Sequence, residues 1–236
     1  GATNFLLISA FFSKFSFKML KNEEFRWYVS LIMLFTIGIT GALLATGQMS
    51  DIEETFRTVL FQVVAAITTT GYATVDFLAW GPFYWLLFLV LILFCGCEGS
   101  TSGGMKISRL VVLAKNSLLV FKRQVHPNAL YMVKINNKVV SNDSISKIIA
   151  FVFLYIFVTI MSAVILSLTG MSFEESISVA LSTISNYGFG LGSYGPSGTF
   201  ESATVFAKYF LSFLMLVGRL EIFTVLSLFV PSFWKR

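Results

Sequence analysis

The run Thr68-Thr69-Thr70-Gly71-Tyr72 has the residue types for chemistry done by the main chain. Its side chains are neutral and mostly small. Carbonyl oxygens in such a run can replace the water around an alkali cation. Glycine is needed where the chain must aim its carbonyls in directions that a Cβ resists. Alone, a Thr/Gly cluster fits an ordinary turn equally well. A second copy argues against that simpler assignment. Residues 55–72 lie over residues 172–189 without a gap, an offset of 188 − 71 = 117 residues. Phe56 meets Phe173, Ile67 meets Ile184, Gly71 meets Gly188, and Tyr72 meets Phe189. The second run therefore reads Asn186-Tyr187-Gly188-Phe189.

The elements around these runs are those of a membrane protein. Of 236 residues, 56% are hydrophobic and only 12% charged, against roughly 25% in soluble domains. The net charge is +5. Residues 27–46, 78–97 and 148–168 are uncharged runs long enough to cross about 30 Å of hydrocarbon as helices. Asp51, Glu53 and Glu54 suit a helix N-terminus. The segment from there to residue 66 is too short to cross. It reads as a re-entrant helix whose partially negative C-terminal end points at residues 69–72. Ser172 and Glu175 form a capping box opening a similar short helix to residue 184. A Gly/Ser/Pro loop follows to Ser202, and a last apolar stretch runs to residue 233, carrying Lys208, Arg219 and Glu221.

Each half thus reads span, short helix, Gly-bearing loop, span. The predicted fold is all-α, with two membrane–pore–membrane repeats. The expected divisions are residues 1–26, the end of a preceding pore-lining helix plus a linker; 27–125, the first repeat; 126–146, a cytoplasmic linker; and 147–236, the second repeat. Residues 107–121 read as an amphipathic helix and 136–143 as a short turn. Lys14, Lys18, Lys21, Arg26, Lys106, Arg109, Lys115, Lys122, Arg123, Lys134, Lys138, Lys147, Lys235 and Arg236 fall on one side. The positive-inside rule makes that side the cytoplasm. Arg57 and Lys208 fall opposite, with Asp51, Glu53, Glu54, Asp76, Glu174, Glu175 and Glu201. Those acids would concentrate cations at an outer mouth or simply cap helices. Cys95 and Cys97 are too close for a normal disulfide, and with only His126 beside them they cannot complete a zinc site. The N-terminus shows no signal peptide and no initiator Met, which fits an excerpt of a longer chain.

Three motifs together resemble the Trk/Ktr/HKT superfamily, with bacterial TrkH-type potassium uptake proteins the nearest likeness. They are Ile67-Thr-Thr-Thr-Gly-Tyr-Ala-Thr74, Gly96-Cys-Glu-Gly-Ser-Thr-Ser-Gly-Gly-Met-Lys106 and Val217-Gly-Arg-Leu-Glu-Ile-Phe223. The likeness covers the whole chain. It implies four membrane–pore–membrane repeats around one pore, of which this chain holds the third and fourth. The implied ion-binding filter is Thr69, Thr70, Gly71 and Tyr72 with Asn186, Tyr187, Gly188 and Phe189. Potassium would meet the carbonyls of Thr69, Thr70, Gly71, Asn186, Tyr187 and Gly188. The implied gate is an intramembrane loop, with Gly96, Gly99, Ser100, Thr101, Gly103 and Gly104, faced by Arg219. An Arg at membrane depth is costly and by default functional; an ion pair with Glu98 or Glu221 is the structural alternative. Asn186-Tyr187 departs from Thr69-Thr70, which puts a hydroxyl site at that filter's base in doubt. The likeness further implies the missing N-terminal half of the pore, a homodimer, a cytosolic nucleotide-binding regulatory subunit and a bacterial inner membrane. Membrane lipids are partners and nucleic acid is not. Potassium is the transported ion, with no permanently bound cofactor.

Other function classes fit less well. Gly99 to Lys106 departs from a phosphate-binding P-loop, because Met105 separates Gly104 from Lys106 and Ile107 stands where Ser or Thr is required. An intramembrane hydrolase using Ser100 or Ser102 would need a base, and His126 lies in a loop beside Pro127. A passive assembly subunit has no need of two matched glycine loops. The expected protein is not an enzyme but a channel-like potassium uptake protein; a sodium-permeable or sodium-coupled relative is the alternative.

Overall fold

The computed structural model of the chain describes residues 2–5, 9, 21–126, 129, 131–229 and 231–234. Most of the helix end expected over residues 1–12 lies outside the described residues, as do Lys14, Lys18, Pro127, Asn128, Lys235 and Arg236.

Helix α1, Glu23–Ala45, starts at Asn22, whose side chain accepts from the Phe25 N–H. With 23 residues it is long and apolar enough to cross a membrane. Helix α2, Ile52–Ile67, is capped by Asp51, which accepts from the Glu53 N–H at 3.0 Å. Its 16 residues rise about 24 Å, so it enters the membrane and stops. A 3-10 turn, Phe77–Trp80, leads to Gly81 and then to α3, Pro82–Leu93, with proline at its first turn.

The run 78–97 was expected to span as one helix, but it does not. Helix α3 has 12 residues, about 18 Å of rise, and the chain leaves it for a loop over residues 96–104. A two-residue parallel bridge closes that loop, pairing β1, Phe94–Cys95, with β2, Met105–Lys106. Helix α4, Ile107–Val125, continues from β2.

The turn expected over residues 136–143 is the tip of a hairpin, β3 Lys134–Ile135 against β4 Lys138–Val139. Asn136 and Asn137 are both left-handed, with φ of 48° and 64°, as a two-residue hairpin turn requires. Helix α5, Asn142–Ser167, contains most of the third expected span and is also long enough to cross. Then come α6, Phe173–Ile184; α7, Val205–Arg219; α8, Ile222–Ser227; and α9, Pro231–Trp234. The last apolar stretch is therefore broken at Leu220–Glu221, where Glu221 has φ of 63°.

Each short helix is held between flanking helices: α2 between α1 and α3, α6 between α5 and α7. Helix α3 also touches α6, joining the two repeats. One core runs through both, with Leu43, Val63, Phe88, Ile107, Tyr155 and Ile184 buried in it. Leu166, Val179, Ala207 and Leu211 form a second core around α6 and α7. Phe153, Phe157 and Ile160 on α5 are exposed, as a face turned toward lipid should be. The fold is that of an all-α membrane protein with two membrane–pore–membrane repeats.

Glu175 fastens the N-terminal end of α6. Glu175 Oε2 accepts from the Ser172 N–H at 3.1 Å, and Ser172 Oγ accepts from the Glu175 N–H at 3.4 Å. Glu175 Oε1 accepts from the Ser193 N–H at 3.0 Å, which ties down the loop beyond the second glycine run. The Ser193 N–H, with that of Ser172, holds this carboxyl below the ordinary range against an opposing effect of burial. A depressed folded pKa contributes stability above the unfolded value of about 4.3 and loses it as pH falls through the folded one. Glu175→Gln should therefore lower the melting temperature at neutral pH, and its gap from the native protein should narrow toward about pH 3.5. Thermal unfolding in detergent across that range checks this; a gap that does not change with pH would contradict it.

Candidate functional site

Helices α2 and α6 stop in the same way. The residue after each C-cap is left-handed without being glycine: Thr69 has φ of 52° and Asn186 of 58°. The N–H groups of Thr69 and Thr70 return to the carbonyls of Ala66 and Ala65, both at 3.1 Å. Those of Asn186 and Tyr187 return to Thr183 at 3.1 Å and Ser182 at 2.9 Å. This two-bond stop satisfies carbonyls that a helix end leaves orphaned. Every pair is displaced by 117 residues, so the repeat holds down to single hydrogen bonds. Two residues further on, Gly71 (φ 68°) and Gly188 (φ 112°) are left-handed again. Spacing left-handed residues two apart can aim successive carbonyls to one side, as coordination of a single ion requires.

The departure from Thr-Thr to Asn-Tyr falls where it suits the backbone. Asn tolerates the left-handed region far better than β-branched Thr. Hydroxyl support differs between the copies. Thr68 Oγ1 donates to the Val64 carbonyl at 2.6 Å and meets Thr70 Oγ1 at 3.2 Å. In the second copy Ser185 Oγ meets Tyr155 Oη of α5 at 2.6 Å, and both residues are buried. The position matching Tyr155 is 155 − 117 = 38, a glycine with open space beside it. Each run is also tied to its own helix. Gln62 Nε2 donates to the Val75 carbonyl at 3.0 Å. The Gly188 and Leu191 N–H groups donate to Ser182 Oγ at 3.0 Å and Ser178 Oγ at 2.9 Å.

The two runs touch. A Cβ on Gly71 would lie 2.5 Å from the Tyr187 carbonyl oxygen, so Gly71 is needed for proximity as well as for φ. The rings of Tyr187 and Phe189 pack edge to face at 5.6 Å, whereas Tyr72 is exposed.

The loop over residues 96–104 lies against the ends of both short helices. The Gly96 N–H donates to the carbonyl of Ile67, the last residue of α2, at 3.1 Å. A Cβ on Gly103 would come within 2.5 Å of the Ser185 carbonyl, and one on Gly104 within 2.7 Å of Cys95 Sγ. Ser100 Oγ bonds the Cys97 carbonyl at 2.6 Å and meets Ser102 Oγ at 2.8 Å. The Lys106 ammonium sits among these oxygens, donating to the Ser102 carbonyl, to Ser102 Oγ at 3.2 Å and to Ser100 Oγ at 3.4 Å. Buried Glu24 accepts from the Glu98 N–H at 2.6 Å, and the Gly99 carbonyl accepts from the Phe5 N–H at 3.4 Å. A cavity of about 290 Å³ separates the loop from the end of α7, with Thr101, Ser102, Gly103, Gly218 and Arg219 in its walls.

Arg219 shares that cavity with the loop, and the ion pair weighed for it is absent among the described residues. Glu221 is taken instead by Arg109 Nη2 of α4, at 2.9 and 3.0 Å, while the Arg109 guanidinium lies 3.8 Å over the Phe151 ring. A salt bridge across 112 residues leaves no mark in local sequence. Glu98 contributes its N–H rather than its carboxylate in the bond to Glu24. Lys208 donates to the Glu201 carbonyl at 2.9 Å, tethering the outer loop. Tyr155, Glu24 and the ammonium of Lys106 are parts of the site that sequence reasoning missed. Gly218 was legible: a lone glycine beside a charge in an apolar helix signals close backbone approach. A Cβ there would overlap the Ile184 carbonyl.

Comparison with known proteins agrees with this architecture. A family model described as TrkH, cation transport protein, matches residues 1–236. The Trk system potassium uptake protein TrkI of Halomonas elongata is 34% identical over 241 residues, covering 100% of this chain and 48% of that protein. For TrkH of Escherichia coli the figures are 34% identity, 98% and 50%. The crystal structure of the potassium transporter TrkH from Vibrio parahaemolyticus matches with a TM-score of 0.91 at 33% identity, covering 99% of this chain and 50% of that one. The chain spans about half the length of these relatives, which are named as transport proteins rather than enzymes. With the family model matched from end to end and the repeat fold shared, the chain belongs to the TrkH family of cation transport proteins.

Proposed function

We propose that this chain supplies half of a potassium uptake pathway in which ions pass, channel-like, over main-chain carbonyls. The carbonyls are those of Thr69, Thr70, Gly71, Asn186, Tyr187 and Gly188, with Tyr72 and Phe189 closing each run. The observation that carries this is the doubled helix stop, with its matched left-handed residues and the contact of Gly71 with the Tyr187 carbonyl. Two helix C-termini end at these runs, and their partial negative charge favours a cation there. The names of the relatives support potassium as the ion. Potassium is cargo in this scheme, not a resident cofactor.

The loop over residues 96–104, with Gly96, Gly99, Ser100, Thr101, Gly103 and Gly104, acts together with Arg219 as the gate. Support comes from its contacts with the ends of both filter helices and from the shared cavity. Arg219, without a carboxylate partner among the described residues, places positive charge beside a cation path. The remaining half of the pore comes from a segment N-terminal to this one, consistent with the half-length match to the relatives. A homodimer in a bacterial inner membrane, with a cytosolic nucleotide-binding regulator, completes the assembly. We divide the chain at residues 26, 125 and 146, with the exposed hairpin at β3–β4 in the cytoplasmic linker.

Ion flux into vesicles holding the complete protein tests the ion. Potassium and rubidium are expected to enter faster than sodium; equal rates would favour the sodium-permeable alternative. Gly188→Ala and Gly71→Ala should each abolish that preference, and retained discrimination in both would remove these runs from the filter. Arg219→Ala should change open probability in bilayer recordings by about tenfold, and an unchanged value would refute the gate. Tyr155→Phe leaves the buried Ser185 hydroxyl without its partner. It should destabilise the protein by about 1–2 kcal/mol and weaken potassium-over-sodium preference; native selectivity would show that the brace is only structural.

A further inference from the structure

We propose that the side chain of Asn186 links the filter to the gate, a role separate from that of the carbonyl on the same residue. The link rests on the gate proposed above. Oriented to satisfy its neighbours, the Asn186 amide donates from Nδ2 to the Met215 carbonyl at 3.2 Å. Its Oδ1 accepts from the Arg219 N–H at 3.2 Å. Met215 and Arg219 are four residues apart, so these are the two groups that would bond each other in the last turn of α7. The amide flanks that turn from outside, beside a ladder that continues with the Leu220 N–H on the Leu216 carbonyl at 2.9 Å. Helix α7 ends at Arg219, and Glu221 turns left-handed two residues later.

Two glycines make room for that amide. A Cβ on Gly218 would lie 2.8 Å from the tip of the Asn186 amide, and one on Gly103 would lie at the same 2.8 Å. Asn186 therefore meets three parts at once: its own filter run, the gate loop at Gly103, and the last turn of α7, which carries Arg219. The first repeat has no such part. Its counterpart, Thr69, lacks an amide, and the Gly96 N–H reaches the end of α2 instead. A shift in the Asn186 backbone moves the turn holding Arg219, and by linkage a shift of Arg219 or Gly103 is felt at the filter. Asn186 is thus a positioning residue for Arg219.

The test is a double-mutant cycle in the complete protein, read as open probability in lipid bilayers. Asn186→Gly keeps the left-handed backbone free of strain and removes the amide. It is expected to move open probability in the same direction as Arg219→Ala, by about tenfold. The double variant should then go no further than the larger single change, because neighbours acting as one unit are non-additive. Asn186→Asp, of nearly equal volume, keeps the acceptor for the Arg219 N–H and should show a smaller shift than Asn186→Gly. Additive effects overturn the link. So does an Asn186→Gly variant that changes the potassium-to-sodium permeability ratio while leaving open probability alone. If Arg219→Ala itself has no effect, the gate fails and the link with it. If Arg219→Ala acts and Asn186→Gly does not, the link alone fails.

Discussion

A helix that stops inside a membrane leaves carbonyls with no water to receive them. Most of this structure follows from how that problem is solved at Ile67 and Ile184. A left-handed residue after each C-cap folds two N–H groups back onto the helix. The chain then emerges with a run whose own carbonyls are not consumed by the helix. The stop thus satisfies the helix and frees the carbonyls of the proposed filter in one step. Glycines two residues later extend the same backbone alternation.

What surrounds these stops is held by backbone, with side chains often absent by necessity. Gly71 lets the Tyr187 carbonyl approach, Gly103 the Ser185 carbonyl, and Gly218 the Ile184 carbonyl. Each contact would be prised apart by one methyl group, so tolerance to substitution here follows chain proximity rather than burial. The charged residues do different work. Glu24, Lys106 and Arg109 each find partners around the loop, which keeps ionisable groups satisfied close to the membrane interior.

The repeat was legible because both copies keep a glycine at the same spacing, where the left-handed φ at Gly71 and Gly188 favours that residue. The capping box at Ser172 was legible because it is local. Helix lengths were not. An uncharged run over residues 78–97 reports compatibility with lipid, and says nothing of where the chain leaves the helix. The break after Leu93 depends on pairing Phe94 with Met105 across the loop. The break after Arg219 falls where Glu221 turns left-handed and pairs with Arg109 of α4. Both are tertiary contacts laid on sequence that would otherwise remain helical. The partner of Glu221 was not legible for the same reason: Arg219 is near in sequence, but Arg109 is near in space.

The bridge between Phe94–Cys95 and Met105–Lys106 joins only two residues on each side. Mechanically it makes residues 96–104 an eyelet, closed at its neck by this bridge and by the Ile107 N–H on the Gly96 carbonyl at 3.0 Å. Helix α3 enters at one side and α4 leaves at the other, so the ladder itself belongs to neither helix. Releasing so short a ladder belongs to local opening rather than to global unfolding. Substitutions at the four bridge residues therefore act on the loop while leaving the carbonyls proposed to contact the ion as they are.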